Sequence, residues 1–133
     1  MIIVNDNAKD QHAGLEIILA SRPTGRPNEK NFSLVQSHLR DLADREVLVR
    51  NLFMSVDPYM RGRMNDAASY VSPFTLHGVM DGAAVGEVIA SRADDFGIGD
   101  IVFSMHGWRE KFIAMPSELR RISREVPSLS VYL

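Results

Sequence analysis

The chain reads as short apolar runs separated by turn residues, and almost none of the runs is long enough for a helix. The clearest covers residues 46–54 (EVLVRNLFM), where Val47, Val49, Leu52 and Met54 are apolar and Arg50 and Asn51 polar. Aliphatic and β-branched residues in this pattern suit a half-buried strand. Within a few residues the character changes. Asp57 is a candidate helix cap, and Pro58 has φ pre-set for a first helical position. The strand is therefore expected to run straight into a short helical turn carrying Tyr59, Arg61 and Arg63, a stiff corner placed to face a ligand.

The remaining runs fall on either side of this one. Residues 1–14 form a polar N-terminal lead, apart from four apolar residues at the start. Residues 15–20 (LEIILA) predict a first strand, and the Pro- and Gly-containing segment 21–27 a loop. Residues 32–39 alternate at their start, with Phe32 and Leu34 about Ser33, and predict a second strand. The charged stretch 41–45 turns the chain into the 46–54 strand. After a small-residue loop over 65–73, residues 74–77 are expected to extend briefly.

Glycines at 78, 82 and 86 then punctuate the run 78–91. They lack the GxGxxG order, and no strand–helix unit surrounds them, so a phosphate-cradling loop is rejected. The run is also too short for a membrane helix with a GxxxG face. Glycine inside a strand marks a bulge, a bend or close backbone approach, so a single strongly coiled strand at a barrel corner is expected. Residues 101–105 predict another strand, His106-Gly107 a tight connection, and 108–115 a hairpin partner pairing back on it. Residues 116–123 predict one turn and an edge segment. In 126–133 a helix opens, with Ser128 as its cap. A mainly β, barrel-like domain with little helix follows.

Composition narrows the function. A chain of 133 residues with 45% hydrophobic and 24% charged side chains fits one globular domain. Its net charge of −2 leaves no electrostatic footprint for nucleic acid or an anionic membrane. The absence of cysteine excludes disulfides and thiolate chemistry. No stretch reads as a signal peptide or membrane span, so a cytoplasmic protein is the default. His12, His38, His77 and His106 are scattered without metal-ligand spacing, and no metal site is expected. No nucleophile–base grouping stands out, and Asp94-Asp95 reads as a solvated turn. Trp108 is a candidate pocket wall, although a lone Trp is more often core. What remains is Tyr59, whose hydroxyl is able to donate to a carbonyl or a developing enolate, with Tyr70 as a second phenol on the following loop.

The string Ser55-Val56-Asp57-Pro58-Tyr59-Met60-Arg61-Gly62-Arg63-Met64 resembles the SxDPYMRGRM signature of the zinc-independent medium-chain dehydrogenase/reductases. More narrowly it resembles the NADPH-dependent alkenal, prostaglandin and curcumin double-bond reductases. Other blocks are similar in the same order: residues 19–25 with Asn31-Phe32, residues 46–49, Ser69-Tyr70 with Pro73, residues 78–88, Gly99-Asp100, and Gly107-Trp108. Three positions depart from the branch: Arg45 where it usually has Gly, His77 where it has Gly or Leu, and Lys111 where an aromatic is common.

The resemblance implies a GroES-like, partly open barrel over residues 15–126, the substrate-side domain. Residues 127–133 would then begin a connecting helix towards a Rossmann domain outside this chain. It further implies NADPH as cofactor, held mainly by that second domain, no zinc, and hydride transfer to the β-carbon of an enone or alkenal. Tyr59 is the implied substrate-carbonyl contact and catalytic donor; Tyr70 is, more weakly, a substrate-pocket wall. The chain alone is then expected to be inactive, and to associate with itself through apolar surface near residues 126–133. Two rivals are a stand-alone GroES-like binding or assembly module and a quinone reductase domain.

Overall fold

The alternating runs become strands in the computed structural model, which describes residues 11–133. In chain order these are β1 (Ala13–Leu19), β2 (Phe32–His38), β3 (Val47–Met54), β4 (Ala84–Ser91), β5 (Ile101–Ser104), β6 (Lys111–Ala114) and β7 (Arg120–Arg121). The one α-helix among the described residues is α1 (Tyr59–Arg63). Strand β1 begins two residues before the expected Leu15, and residues 1–10 of the expected lead lie outside the described residues.

β1 and β2 form an antiparallel pair, Ala13 opposite His38 and Leu19 opposite Phe32. The other strands make a five-stranded sheet in the order β6-β3-β4-β5-β7, with every neighbouring pair antiparallel. β3 lies inside this sheet, and Val47, Leu48 and Val49 are fully buried, so both of its faces are covered. One core gathers Val47, Val49, Val88, Phe96, Val102, Phe112 and Ala114 around the sheet. A second gathers Leu19, Met60, Met64, Phe74 and Met80, with Ile17, Phe32 and Trp108 against it. Burying each such side chain contributes about 1.5–3 kcal/mol, enough for the second core to fix a helix of five residues.

Three expectations are corrected. Residues 108–115 do not form a hairpin with 101–105. β6 pairs with β3 instead, Val47 opposite Ala114 and Arg50 opposite Lys111. The chain is diverted at Gly107, whose N–H donates to the Gly82 carbonyl at 2.9 Å. It then runs beside β1, where Ile17 N–H meets the Trp108 carbonyl and Glu110 N–H meets the Leu15 carbonyl, both at 2.8 Å. It reaches the open edge of β3 only afterwards.

The glycine-rich run is not one strand. Only 84–91 is β4, while Val79 and Gly82 make isolated bridges to Ile18 and His106. Gly86 does serve close approach: a Cβ there would lie 2.6 Å from Val49 Cγ1 and 2.8 Å from the Arg50 carbonyl oxygen. This crowding coincides with a register shift between Asn51 and Phe53. Residues 74–77 do not extend; Phe74 is buried and the chain turns at 76–77.

The turns follow expectation. In the turn over 41–45, Glu46 accepts from both Nη atoms of Arg40, at 2.5 and 2.7 Å, and from Ala43 N–H. The Arg40 hydrogen bonds, with that of Ala43, push the Glu46 carboxyl down to about 2. A 3-10 turn over Pro116–Glu118 and the edge strand β7 fill residues 116–121. Ser128 caps another 3-10 turn, Leu129–Tyr132, through Ser130 N–H.

Candidate functional site

The corner after β3 begins at Ser55. Its N–H donates to the Ala83 carbonyl, and its hydroxyl to Asp57 Oδ1, each at 2.9 Å. The expected side-chain cap by Asp57 is therefore not made, because the carboxylate is taken by Ser55. Asp57 closes the first turn with its backbone carbonyl, which accepts Met60 N–H at 3.0 Å, while its own N–H points at Met60 Sδ at 3.4 Å. Pro58, already helical at φ −56° and ψ −32°, holds the cap position. Met60 and Met64 turn inward to the second core.

Tyr59, the first residue of α1, points outward and is 47% exposed. Its hydroxyl has no hydrogen-bond partner among the described residues. The two arginines do not share this freedom. Arg61 donates to the carbonyls of Gly25 and Pro23 and to Asn65 Oδ1. Arg63 pairs with Asp81, donates to the Ser72 carbonyl and lies over the Phe74 ring. Of the three side chains expected to face a ligand, only Tyr59 is left to do so.

Tyr70 is fully exposed on the loop that Arg63 ties back at Ser72. Both phenols thus stand on segments anchored to α1, but no contact joins their rings. Among the described residues no group of three or more His, Asp or Glu is placed to share a metal ion. None of their helices is long and apolar enough to cross a membrane.

Known proteins resemble this chain over most of the described residues. Residues 16–122 match the family model described as the N-terminal domain of oxidoreductase. The NADPH-dependent curcumin reductase of Escherichia coli is 39% identical over 105 residues, covering 79% of this chain and 30% of the relative. The chain belongs to the zinc-independent branch of the medium-chain dehydrogenase/reductases, as an N-terminal domain. The NADP-dependent 2-alkenal reductase of Nicotiana tabacum is 34% identical, over 88% of this chain and 36% of its own length. Among solved structures, CurA from Vibrio vulnificus in complex with NADPH superposes with a TM-score of 0.81 at 41% identity, over 89% of this chain and 35% of that one. The chain thus spans about a third of the length of these relatives, and its fold is the GroES-like domain of the branch.

The departures from this branch now have a conformation. Arg45 and His77, two of the expected departures, both keep a left-handed backbone, at φ 67° and 65°. Trp108 shares this region at φ 58°. Its ring stacks on Phe32, with centroids 6.2 Å apart and planes within 7°.

Trp108 also lines a groove of about 320 Å³ between β1 and the end of β3, with Leu15, Ile17, Leu52 and Phe53. Arg109 crosses the groove wall and donates to the carbonyls of Gly107 and Met80. Burial pushes its guanidinium below the ordinary value, against the opposing pull of Glu16 and Asp81. Neither Tyr59 nor Tyr70 lines this groove. Asn51 escaped sequence reasoning: its Nδ2 donates to the carbonyls of His106 and Arg109, at 2.7 and 2.8 Å, fixing the 106–109 crossing. The available signal was a polar amide inside a mainly apolar strand.

Proposed function

We propose that this chain is the substrate-side domain of an NADPH-dependent reductase that saturates the C=C bond of α,β-unsaturated carbonyls, with Tyr59 as hydrogen-bond donor to the carbonyl oxygen. The observation that carries the reading is the state of the corner. Its backbone is fixed, its arginines are committed to loop carbonyls and to Asp81, and the Tyr59 hydroxyl alone remains exposed and unpaired. The activities for which the relatives are named, on curcumin and 2-alkenals, supply the substrate class.

A dinucleotide needs a cradle for its pyrophosphate, typically a glycine loop opening onto a helix. The described residues hold no such unit, since α1 has only five residues and follows no glycine loop. They do not fit the cofactor by themselves, so NADPH is held mainly by residues outside this chain. When bound there, it supplies the hydride. This chain supplies the donor: as the β-carbon is reduced, negative charge grows on the carbonyl oxygen. A phenol aimed at that oxygen stabilises the transition state more than the ground state. Tyr70 is the weaker element of the reading, a wall only where a second domain covers it.

Tyr59→Phe keeps the ring and removes the donor. In the polypeptide that carries this domain together with a cofactor-binding domain, we expect about a 10-fold loss of kcat/KM for enones, or about 1.4 kcal/mol. NADPH affinity and melting temperature should be unchanged. Full activity would return Tyr59 to a packing role, and weakened NADPH binding would place it on the cofactor side of the cleft.

A further inference from the structure

We propose that Arg61 and Arg63 are positioning residues that fix the orientation of Tyr59, an inference that rests on the reading of Tyr59 given above. A helix of five residues does not hold itself together in water. This one also carries Gly62, among the weakest helix formers, as its fourth residue. Its inward side is held by Met60 and Met64, but apolar contacts are non-directional and leave rotation about the helix axis soft.

The arginines remove that softness. At about 100° per residue, Arg61 leaves the helix on the side away from Tyr59 and Arg63 leaves close to the Tyr59 side. Arg61 Nε and Nη2 donate to the Gly25 and Pro23 carbonyls at 2.9 and 3.1 Å, and Nη1 to Asn65 Oδ1 at 2.7 Å. Arg63 Nη1 and Nη2 donate to Asp81 Oδ1 and Oδ2 at 2.5 and 3.3 Å, and Nε to the Ser72 carbonyl at 3.0 Å. Its guanidinium sits 4.2 Å from the Phe74 ring centroid. From the opposite direction, Arg22 donates to the Met64 and Phe74 carbonyls, satisfying an acceptor at the helix C-terminus.

All the Arg61 partners are neutral oxygens, so what the residue contributes is the planar fork of five N–H donors rather than charge. Lysine does not reproduce that fork. The leverage is large. A phenolic oxygen stands about 9 Å from the axis of its helix, so a rotation of about 10° displaces it by roughly 1.5 Å, half a hydrogen-bond length. Such a displacement is enough to lose most of what an oriented donor contributes.

The test is a double-mutant cycle in the polypeptide that carries this domain with its cofactor-binding domain, using NADPH and an α,β-unsaturated ketone. Arg61→Lys and Arg63→Lys are each expected to lower kcat about 5-fold with the KM for NADPH unchanged. In the Tyr59→Phe background each should cost less than 2-fold, because the group being positioned is gone. An equal loss in both backgrounds would overturn the proposal, since the arginines would then act on the fold at large. Full activity of both lysine variants, beside a Tyr59→Phe variant that has lost turnover, would overturn it while leaving the reading of Tyr59 intact. A fully active Tyr59→Phe enzyme would remove both. Should a lysine variant fail to fold, Asn65→Ala and Asp81→Ala delete single side-chain partners of the two arginines and read the same coupling.

Discussion

Arg45 and His77 hold left-handed φ angles of 67° and 65°, a region where a side chain crowds the following carbonyl. Each costs of order 1 kcal/mol, and each is held by its neighbours. Arg45 N–H donates to the Arg92 carbonyl at 3.1 Å, and His77 N–H to the Leu19 carbonyl at 2.7 Å. Arg45→Gly and His77→Gly should therefore each raise stability by about 0.5–1 kcal/mol, the gain in strain being partly offset by glycine's freedom in the unfolded chain. Urea unfolding checks this; a lower midpoint in both variants would mean that the lost side chains matter more than the strain. The resemblance to the branch marked Arg45 at a usual Gly and His77 at a usual Gly or Leu, but only the backbone angles give the cost. The contacts of Arg61 and Arg63 were not legible, because their partners at 23–25, 72 and 81 are brought to them by folding. The position of Tyr59 on a strand-to-helix corner was legible, because a proline fixes the neighbouring backbone.

Strands were legible wherever a run of apolar residues met turn chemistry, and their partners were not. His106-Gly107 has the composition of a two-residue hairpin turn, yet the N–H of Gly107 is drawn to the Gly82 carbonyl and the strand that follows lands on β3. Period-2 alternation states which residues share a face, and it is silent about which strand lies alongside. The glycines divide in the same way. Gly86→Ala would press a methyl against the Arg50 carbonyl, which has no room to move inside a central strand. It should destabilise by about 1–3 kcal/mol. Gly62→Ala meets nothing within 4 Å and sits in a helix, so it should stabilise by about 0.5–1 kcal/mol. Thermal melts of the pair read both signs at once; equal shifts would mean that the crowding at Gly86 is relieved by local movement.

At the scale of the molecule, the mainly β, GroES-like architecture was legible, because short strands and frequent turns leave few alternatives. That NADPH is held mainly outside these residues is a proposal with a direct test. Isothermal titration of the 133-residue chain with NADPH should give no binding in the micromolar range, and a micromolar isotherm would put a dinucleotide site within it. Val131 and Leu133 remain exposed, so the isolated chain is also expected to associate with itself at high concentration. Light scattering that stays flat with concentration would contradict that.

The central claim is the direction of the reduction. Its most direct measurement follows deuterium from NADPH labelled at the transferring C4 position into the product of an α,β-unsaturated ketone. The enzyme used is the polypeptide that joins this domain to a cofactor-binding domain, and the product is read by NMR. The expected product is a saturated ketone with the label on the β-carbon. An allylic alcohol labelled on the former carbonyl carbon would contradict it.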